Sequence, residues 1–508
     1  MAIYIQRLYD LVWGVPALVL ILGVGLYLSV RTGFAQLRLF PRACRDFWRR
    51  MFGRKTDESG VSSFQALCTA LAATVGTGNL VGVAGAMLIG GPGAIFWMWV
   101  SALFGMITKL AEATLAVRYR VFEHGESIGG PMYYIRHGLG KKWRWLAGIY
   151  SFFGVIAAFG VGNATQINAV IQSINGCMVA FGVAVPPWFE LTLGVILAVL
   201  VLCMLLGGAK RIGSVAERLV PFAAVLYLLL SALVLLLRLS VIPTAFASIL
   251  QGAFSPHAVT GGLVGSFLVT MRTGVSRGVF TNEAGMGTAA MAHGAATVRH
   301  PAEQGLMGIM EVFLDTIVIC TVTALVILCS GIPVPYGGAA TDLTAQAFSA
   351  VLGPWVQLLI TASICLFAVA TVLGWGLYGV RCAQYLFGHG VWKKFAWLQA
   401  AAVILGAVLQ TSTVWLLAET VNGLMAIPNL IALFLLCPEL CRQLKQYQVL
   451  FGRNANGGTY EDLDQCQPLR TLSHAQISPH GSAGGKERQN HLSPEYRPAR
   501  SAHTPGLL

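Results

Sequence analysis

Two runs of glycine and small polar residues interrupt otherwise apolar stretches, and they are where this sequence could bind a solute. The first is Ala73-Thr74-Val75-Gly76-Thr77-Gly78-Asn79. The second is Thr273-Gly274-Val275-Ser276-Arg277-Gly278-Val279-Phe280-Thr281-Asn282-Glu283. A helix unwound at either place leaves backbone N–H and C=O groups that hydrocarbon cannot satisfy, so they must be buried in protein or line a hydrated site. The N-terminus of a resumed half-helix carries partial positive charge and can receive a carboxylate. Freed carbonyls and half-helix C-termini can coordinate Na⁺. A zwitterionic amino acid with a cation suits that arrangement. The competing reading is that the glycines merely let helices pack closely, as small-xxx-small motifs do.

Ionisable residues inside apolar segments are functional candidates by default. Lys109 and Glu112 are three apart and can pair on one helix face, and Glu311 and Asp315 stand one turn apart. Arg272, Arg277 and Glu283 flank the second run, where Arg277 and Glu283 read as gating or bracing residues, and Glu419 precedes the last apolar stretch. The eleven cysteines follow no metal-site or disulfide spacing, and Cys68, Cys203, Cys320, Cys365 and Cys437 sit in apolar runs as small hydrophobes. With no nucleophile–base pair and no HExxH, the pattern argues against an enzyme.

The elements that must position these residues are set by composition. Among 508 residues, 34 Lys+Arg and 21 Asp+Glu make only 11% charged against 56% hydrophobic. A soluble protein carries about 25% charge, so a cytosolic enzyme, a disordered scaffold and a nucleic-acid-binding domain are excluded. Stretches of about 20 apolar residues cross a bilayer. Eleven are predicted, near 11–30, 61–88, 93–117, 145–175, 188–207, 219–240, 262–292, 304–330, 353–380, 395–416 and 420–441. The first is read as a retained span, because its basic cluster follows it rather than precedes it.

Basic residues alternate between loops. Arg31 to Lys55 fill the first loop; Arg118 to Arg144, Lys210 to Arg218, Arg299, and Arg381 to Lys394 follow in every second one, with only Arg238 against the trend. The positive-inside rule then puts the N-terminus outside and the C-terminus in the cytoplasm. The net charge of +13 is thus an orientation signal rather than the mark of an acidic partner. Residues 449–508 lack apolar runs and read as a disordered cytoplasmic tail. Spans two to six and seven to eleven form halves of opposite polarity, each opening on an interrupted helix. That is the pattern of a midplane binding site in secondary transporters.

Several motifs in order resemble the alanine or glycine:cation symporter family of the amino acid–polyamine–cation superfamily. They are Ser63-Phe64-Gln65-Ala66-Leu67 with Thr69–Asn79, Gly90-Gly91-Pro92-Gly93-Ala94-Ile95-Phe96-Trp97-Met98-Trp99, Gly129-Gly130-Pro131-Met132-Tyr133-Tyr134, Arg277–Gly287, Phe313–Val318 and Asn422–Leu430. The resemblance covers the chain to about residue 440. It implies an all-α polytopic membrane protein with a leucine-transporter-like 5+5 inverted repeat and one extra N-terminal helix. The expected divisions are 1–58 for the extra helix and basic loop, 59–250 and 251–448 for the repeats, and 449–508 for the tail.

The resemblance also implies sodium-coupled symport of a small neutral amino acid, alanine or glycine, in the cell inner membrane. Its partners would be the amino acid, Na⁺ as coupling ion and the lipid bilayer, with no other cofactor, no nucleic acid and no obligate protein partner. By similarity, Thr77 and Gly78 would meet the substrate carboxylate with Asn79 nearby, and Gln166 would hydrogen-bond the substrate. Thr273 and Gly274 would offer carbonyls to the ammonium, and Trp375 would limit side-chain size. Na⁺ would use carbonyls around Ala73 and Thr74 and the hydroxyl of Thr371. The family commonly has a Ser before that Thr, where this chain has Ala370, and Val380 and Gln384 stand where acidic residues are usual. Proton coupling, or an amino-acid sensor or channel without coupled movement, are the alternatives.

Overall fold

Ser62 starts the first interrupted span, its hydroxyl accepting the N–H of Gln65 at 3.0 Å. The cap suits its position, since the first helical N–H groups have no partner within the helix. From it the helix Ser63–Thr74 runs to Val75, whose ψ of 93° leaves the helical region. The Gly76 N–H is then taken by the side-chain carbonyl of Asn79 at 2.9 Å. The chain resumes as a π-turn over Gly78–Gly82 and the helix Val83–Gly90, and the two halves are bent by 52°. The interruption predicted in the first run is therefore real, and Asn79 satisfies one of the groups it frees.

The protein is described by a computed structural model covering residues 7, 9, 12–53, 60–123, 125–254, 267–334, 340–408 and 411–452. All of them belong to the unit Met1–Gly458. Among the described residues helices dominate, with one short antiparallel hairpin, Val121–Glu123 with Glu126–Ile128. Within the described residues helices lie along the predicted stretches, except that the one near 395–416 straddles the end of Trp392–Val408 and the start of Thr411–Leu435. Among the described residues, seven helices are long and apolar enough to cross a bilayer unaided, and the bent pair makes eight. Shorter helices occupy the rest, such as Val15–Arg31 and Phe189–Leu205. The helix Cys437–Gly452 continues past the expected boundary at 448, and the tail from residue 453 lies outside the described residues.

The second run behaves differently from the expectation. The helix Phe267–Asn282 passes straight through Gly274 and Gly278 without interruption. A Cβ on Gly274 would lie 2.2 Å from the Ala94 carbonyl oxygen, and one on Gly278 would lie 2.1 Å from the Ser101 hydroxyl. Spaced four apart, these glycines seat the helix against Gly93–Arg118, which is the close-packing role of small residues in membranes. The break comes afterwards, at Glu283, whose φ of 53° ends the helix. Gly285 and Gly287 follow with φ of 91° and 76°, before the short helix Ala290–His293.

Around these two breaks pack Gly93–Arg118, the helix Arg144–Phe159 joined through a π-turn to Thr165–Ala180, the helix Pro301–Val312 joined through a π-turn to Thr321–Cys329, and Val356–Phe387. On the periphery, Gly208–Leu237 buries Val220, Ala223, Tyr227, Leu230 and Val234 while exposing Phe222, Val225, Leu229, Leu233 and Leu236. A helix apolar on both faces has lipid as its solvent.

Candidate functional site

The first break, the turn at Gly160–Ala164, the start of the second break and the long helix Val356–Phe387 enclose one small cavity. Its walls are Ala73, Thr74, Gly76 and Gly78 from the first break, Val161 and Gln166 from the second wall, Phe280 and Glu283 from the third, and Thr371 and Trp375 from the long helix. Its volume of about 10 Å³ holds no more than about one water molecule. The cavity is too small to hold an amino acid as it stands.

Glycines make this convergence possible. A Cβ on Gly76 would stand 2.4 Å from the Thr371 hydroxyl oxygen, and one on Gly374 would stand 2.8 Å from the Ala73 Cβ. Gly162 lies under the indole of Trp375, where a Cβ would meet the Trp375 Cβ at 2.1 Å. Trp375 is fully buried, so it is no interfacial anchor.

The polar atoms of the walls are each oriented. Thr77 donates its hydroxyl hydrogen to the Gln166 side-chain carbonyl at 2.9 Å, and the Gln166 amide donates to the Val161 carbonyl at 3.2 Å. Thr371 donates to the Phe367 carbonyl one turn back at 3.0 Å, leaving oxygen lone pairs but no hydrogen to offer elsewhere. Trp375 donates its indole N–H to one Glu283 oxygen at 2.7 Å, while Thr288 donates to the other at 2.5 Å.

Below the cavity lies a buried polar layer. Asn79 donates to the Asp315 carboxylate at 2.7 Å, and Thr316 donates to its second oxygen at 2.8 Å. Glu112 accepts the N–H groups of Gly285 and Gly287 at 2.9 and 3.0 Å and the Asn429 amide at 2.7 Å. The carboxylate thereby fixes the turn of the second break. Lys109 and Glu311 form an ion pair at 3.0 Å with both side chains fully buried. His293 bridges onward from Glu311 at 2.8 Å to Gln304 at 2.7 Å, and Gln304 accepts from Ser63 at 2.5 Å. A chain of polar groups thus links the start of the first broken span to the interior.

Of the expected site residues, Ala73, Thr74, Gly78, Gln166, Thr371 and Trp375 line the cavity. Thr77 reaches it through Gln166, and Asn79 caps the break. Thr273 and Gly274 do not line it, because their helix is unbroken there and Gly274 faces Ala94 and Trp97. Arg277 is not joined to Glu283; it pairs with Glu419 at 2.5 Å. Lys109 binds Glu311 across helices rather than Glu112 on its own. Glu283, expected to gate or brace the second break, faces the cavity. The two glycines at 285 and 287 were the signal that the chain turns there.

Comparison with known proteins agrees with this architecture. The model of the sodium:alanine symporter family matches residues 1–457. An uncharacterized transporter of Haemophilus influenzae is 44% identical over 440 residues, which are 86% of this chain and 94% of that protein. The sodium/alanine symporter AgcS of Methanococcus maripaludis is 42% identical over 453 residues, 87% of this chain and 96% of that protein. Among solved structures, MhsT in complex with L-phenylalanine superposes with a TM-score of 0.53 at 17% identity, covering 76% of this chain and 98% of MhsT. That likeness is one of fold, the leucine-transporter-like arrangement.

Proposed function

The chain belongs to the sodium:alanine symporter family, and from that premise we propose that it carries a small neutral amino acid, alanine or glycine, into the cell together with Na⁺. It is a transporter rather than an enzyme. The observation that supports the choice of site most strongly is the small cavity shared by the first break, Gln166 and Trp375.

The polar atoms around that cavity divide by chemistry. Carbonyls at Ala73 and Thr74 and the lone pairs of Thr371 suit a cation, since the Thr371 hydrogen is already given to Phe367. Ala370 supplies no second hydroxyl. The backbone N–H groups of Thr77 and Gly78, at the start of the resumed half-helix, suit the substrate carboxylate, while that of Asn79 is given to the Gly76 carbonyl. Gln166, held by Thr77, hydrogen-bonds the substrate from the facing wall. Trp375 over Gly162, with Phe280, would wall off the substrate side chain, which supports a small substrate.

Na⁺ orders the first break, the amino acid then joins both breaks, and the walls close before reopening inward. The membrane potential contributes about 2.3 kcal/mol per charge per 100 mV, enough for accumulation by about fiftyfold. The cell inner membrane is the setting, with the N-terminus outside and the C-terminus in the cytoplasm, a reading that the basic loops support. Competition against labelled alanine uptake tests the size limit. Unlabelled glycine and alanine compete at equal concentration and phenylalanine does not; equal competition by phenylalanine contradicts the role given to Trp375.

A further inference from the structure

Glu283 is the one ionisable residue among those lining the cavity. It is 2% exposed and sits in the left-handed region at φ 53°, a conformation that a non-glycine residue holds only when its surroundings impose it. Both carboxylate oxygens accept one hydrogen bond from a neutral donor, Trp375 Nε1 and Thr288 Oγ1. A carboxylate can accept about four, so each oxygen keeps capacity toward the cavity. Among the described residues it makes no ion pair.

Lys109 lies within its electrostatic reach but makes no ion pair with it. From Gly93–Arg118, Lys109 is committed to Glu311, and Glu112 adds another acid held by backbone N–H groups. Glu311 and Asp315 come from the Pro301–Cys329 segment, and His293 is bonded to Glu311. Tyr150 and Tyr378 lie within its electrostatic reach and end in buried hydroxyls without hydrogen-bond partners. Four carboxylates, of Glu112, Glu283, Glu311 and Asp315, thus share one lysine. A buried carboxylate without a cation takes up a proton rather than remain charged.

We propose that Glu283 is the anionic anchor of the transport site, receiving the α-ammonium of the amino acid, and that a proton occupies its carboxyl when no amino acid is bound. The anchor rests on the transport reading above and takes the place in it that Thr273 and Gly274, which do not line the cavity, leave open. Loading is then an exchange. The protonated carboxyl gives its proton to water, the resulting carboxylate pairs with the ammonium, and no bond in the amino acid is made or broken. The substrate carboxylate goes to the first break and the ammonium to the second, so one small zwitterion spans both.

The test uses full-length protein in nanodiscs, in weakly buffered, mildly acidic NaCl with a pH-indicator dye. Adding L-alanine to the wild type releases about one proton per alanine bound. Glu283→Gln, which keeps the shape and removes the charge, raises the half-saturating alanine concentration about a hundredfold or more and abolishes the release. Glu283→Asp retains the release with intermediate affinity. Should Glu283→Gln fail to fold, the wild-type stoichiometry and the Asp variant decide. Wild-type binding without proton release overturns the inference, as does a Gln variant that binds alanine like the wild type or still releases the proton; each leaves the transport reading standing. A wild type that neither binds nor accumulates any small amino acid overturns the transport reading itself.

Discussion

Gly76→Ala tests how closely the first break must approach the long helix. The φ of Gly76 is not positive, so alanine fits the backbone and any effect is steric. The added methyl would stand 2.4 Å from Thr371 Oγ1 and 3.4 Å from the Gln166 side-chain oxygen. Real contacts of that kind rarely fall below about 3 Å, so either the break retreats or the Thr371 hydroxyl rotates. Rotation forfeits its bond to Phe367, worth about 1 kcal/mol, and overpacking adds about 1–3 kcal/mol. Together, about 2–4 kcal/mol corresponds to about a thirtyfold to a thousandfold rise in the Na⁺ concentration that half-saturates alanine uptake. The assay is labelled alanine uptake into proteoliposomes over a Na⁺ series. Gly23→Ala, where an added Cβ meets nothing within 4 Å, is the control and stays at wild type. A Gly76→Ala protein with wild-type Na⁺ and alanine dependence refutes the reasoning that joins Thr371 to the first break.

Other perturbations separate binding from packing. Gln166→Ala and Thr77→Val each remove the bond across the cavity, worth about 0.6–1.7 kcal/mol in membranes; uptake weakens about threefold to twentyfold while membrane expression, read by immunoblot, is unchanged. Gly274→Ala drives a methyl into the Ala94 carbonyl and the Trp97 side chain; it lowers the yield and melting temperature in detergent, but the protein that folds retains wild-type alanine affinity. Lys109→Met strands Glu311 in the interior and costs about 3–5 kcal/mol. Its melting temperature falls well below that of the double variant Lys109→Met/Glu311→Leu, measured by the same thermal scan.

The sequence made the spans and the first break legible because each has a local cause. Apolar length fixes a crossing, and Gly76 and Gly78 beside Asn79 supply both the flexibility and the side chain that satisfies the opened backbone. The second break falls at the last residue of the run singled out, Glu283, rather than at Gly274 or Gly278, because glycine serves two ends that look alike in one dimension. Gly274 and Gly278 are small so that another helix can approach, whereas Gly285 and Gly287 are glycine because their φ is positive. The four-residue spacing of the first pair and the two-residue spacing of the second are the distinguishing marks. Ion pairing failed for a related reason. Lys109 and Glu112 are neighbours on a helix, yet Glu112 is drawn to the free N–H groups of a turn 173 and 175 residues away, and Lys109 meets a carboxylate on another helix. Tertiary contact, not local spacing, chose the partners.

The central claim is that Na⁺ drives a small amino acid through the site between the two breaks. Its most direct test is labelled alanine uptake into proteoliposomes loaded with K⁺, with external Na⁺ compared with choline at two pH values. The account predicts accumulation above the external concentration that requires Na⁺ at both pH values. Uptake that ignores Na⁺ and follows pH, or alanine that only equilibrates, contradicts it.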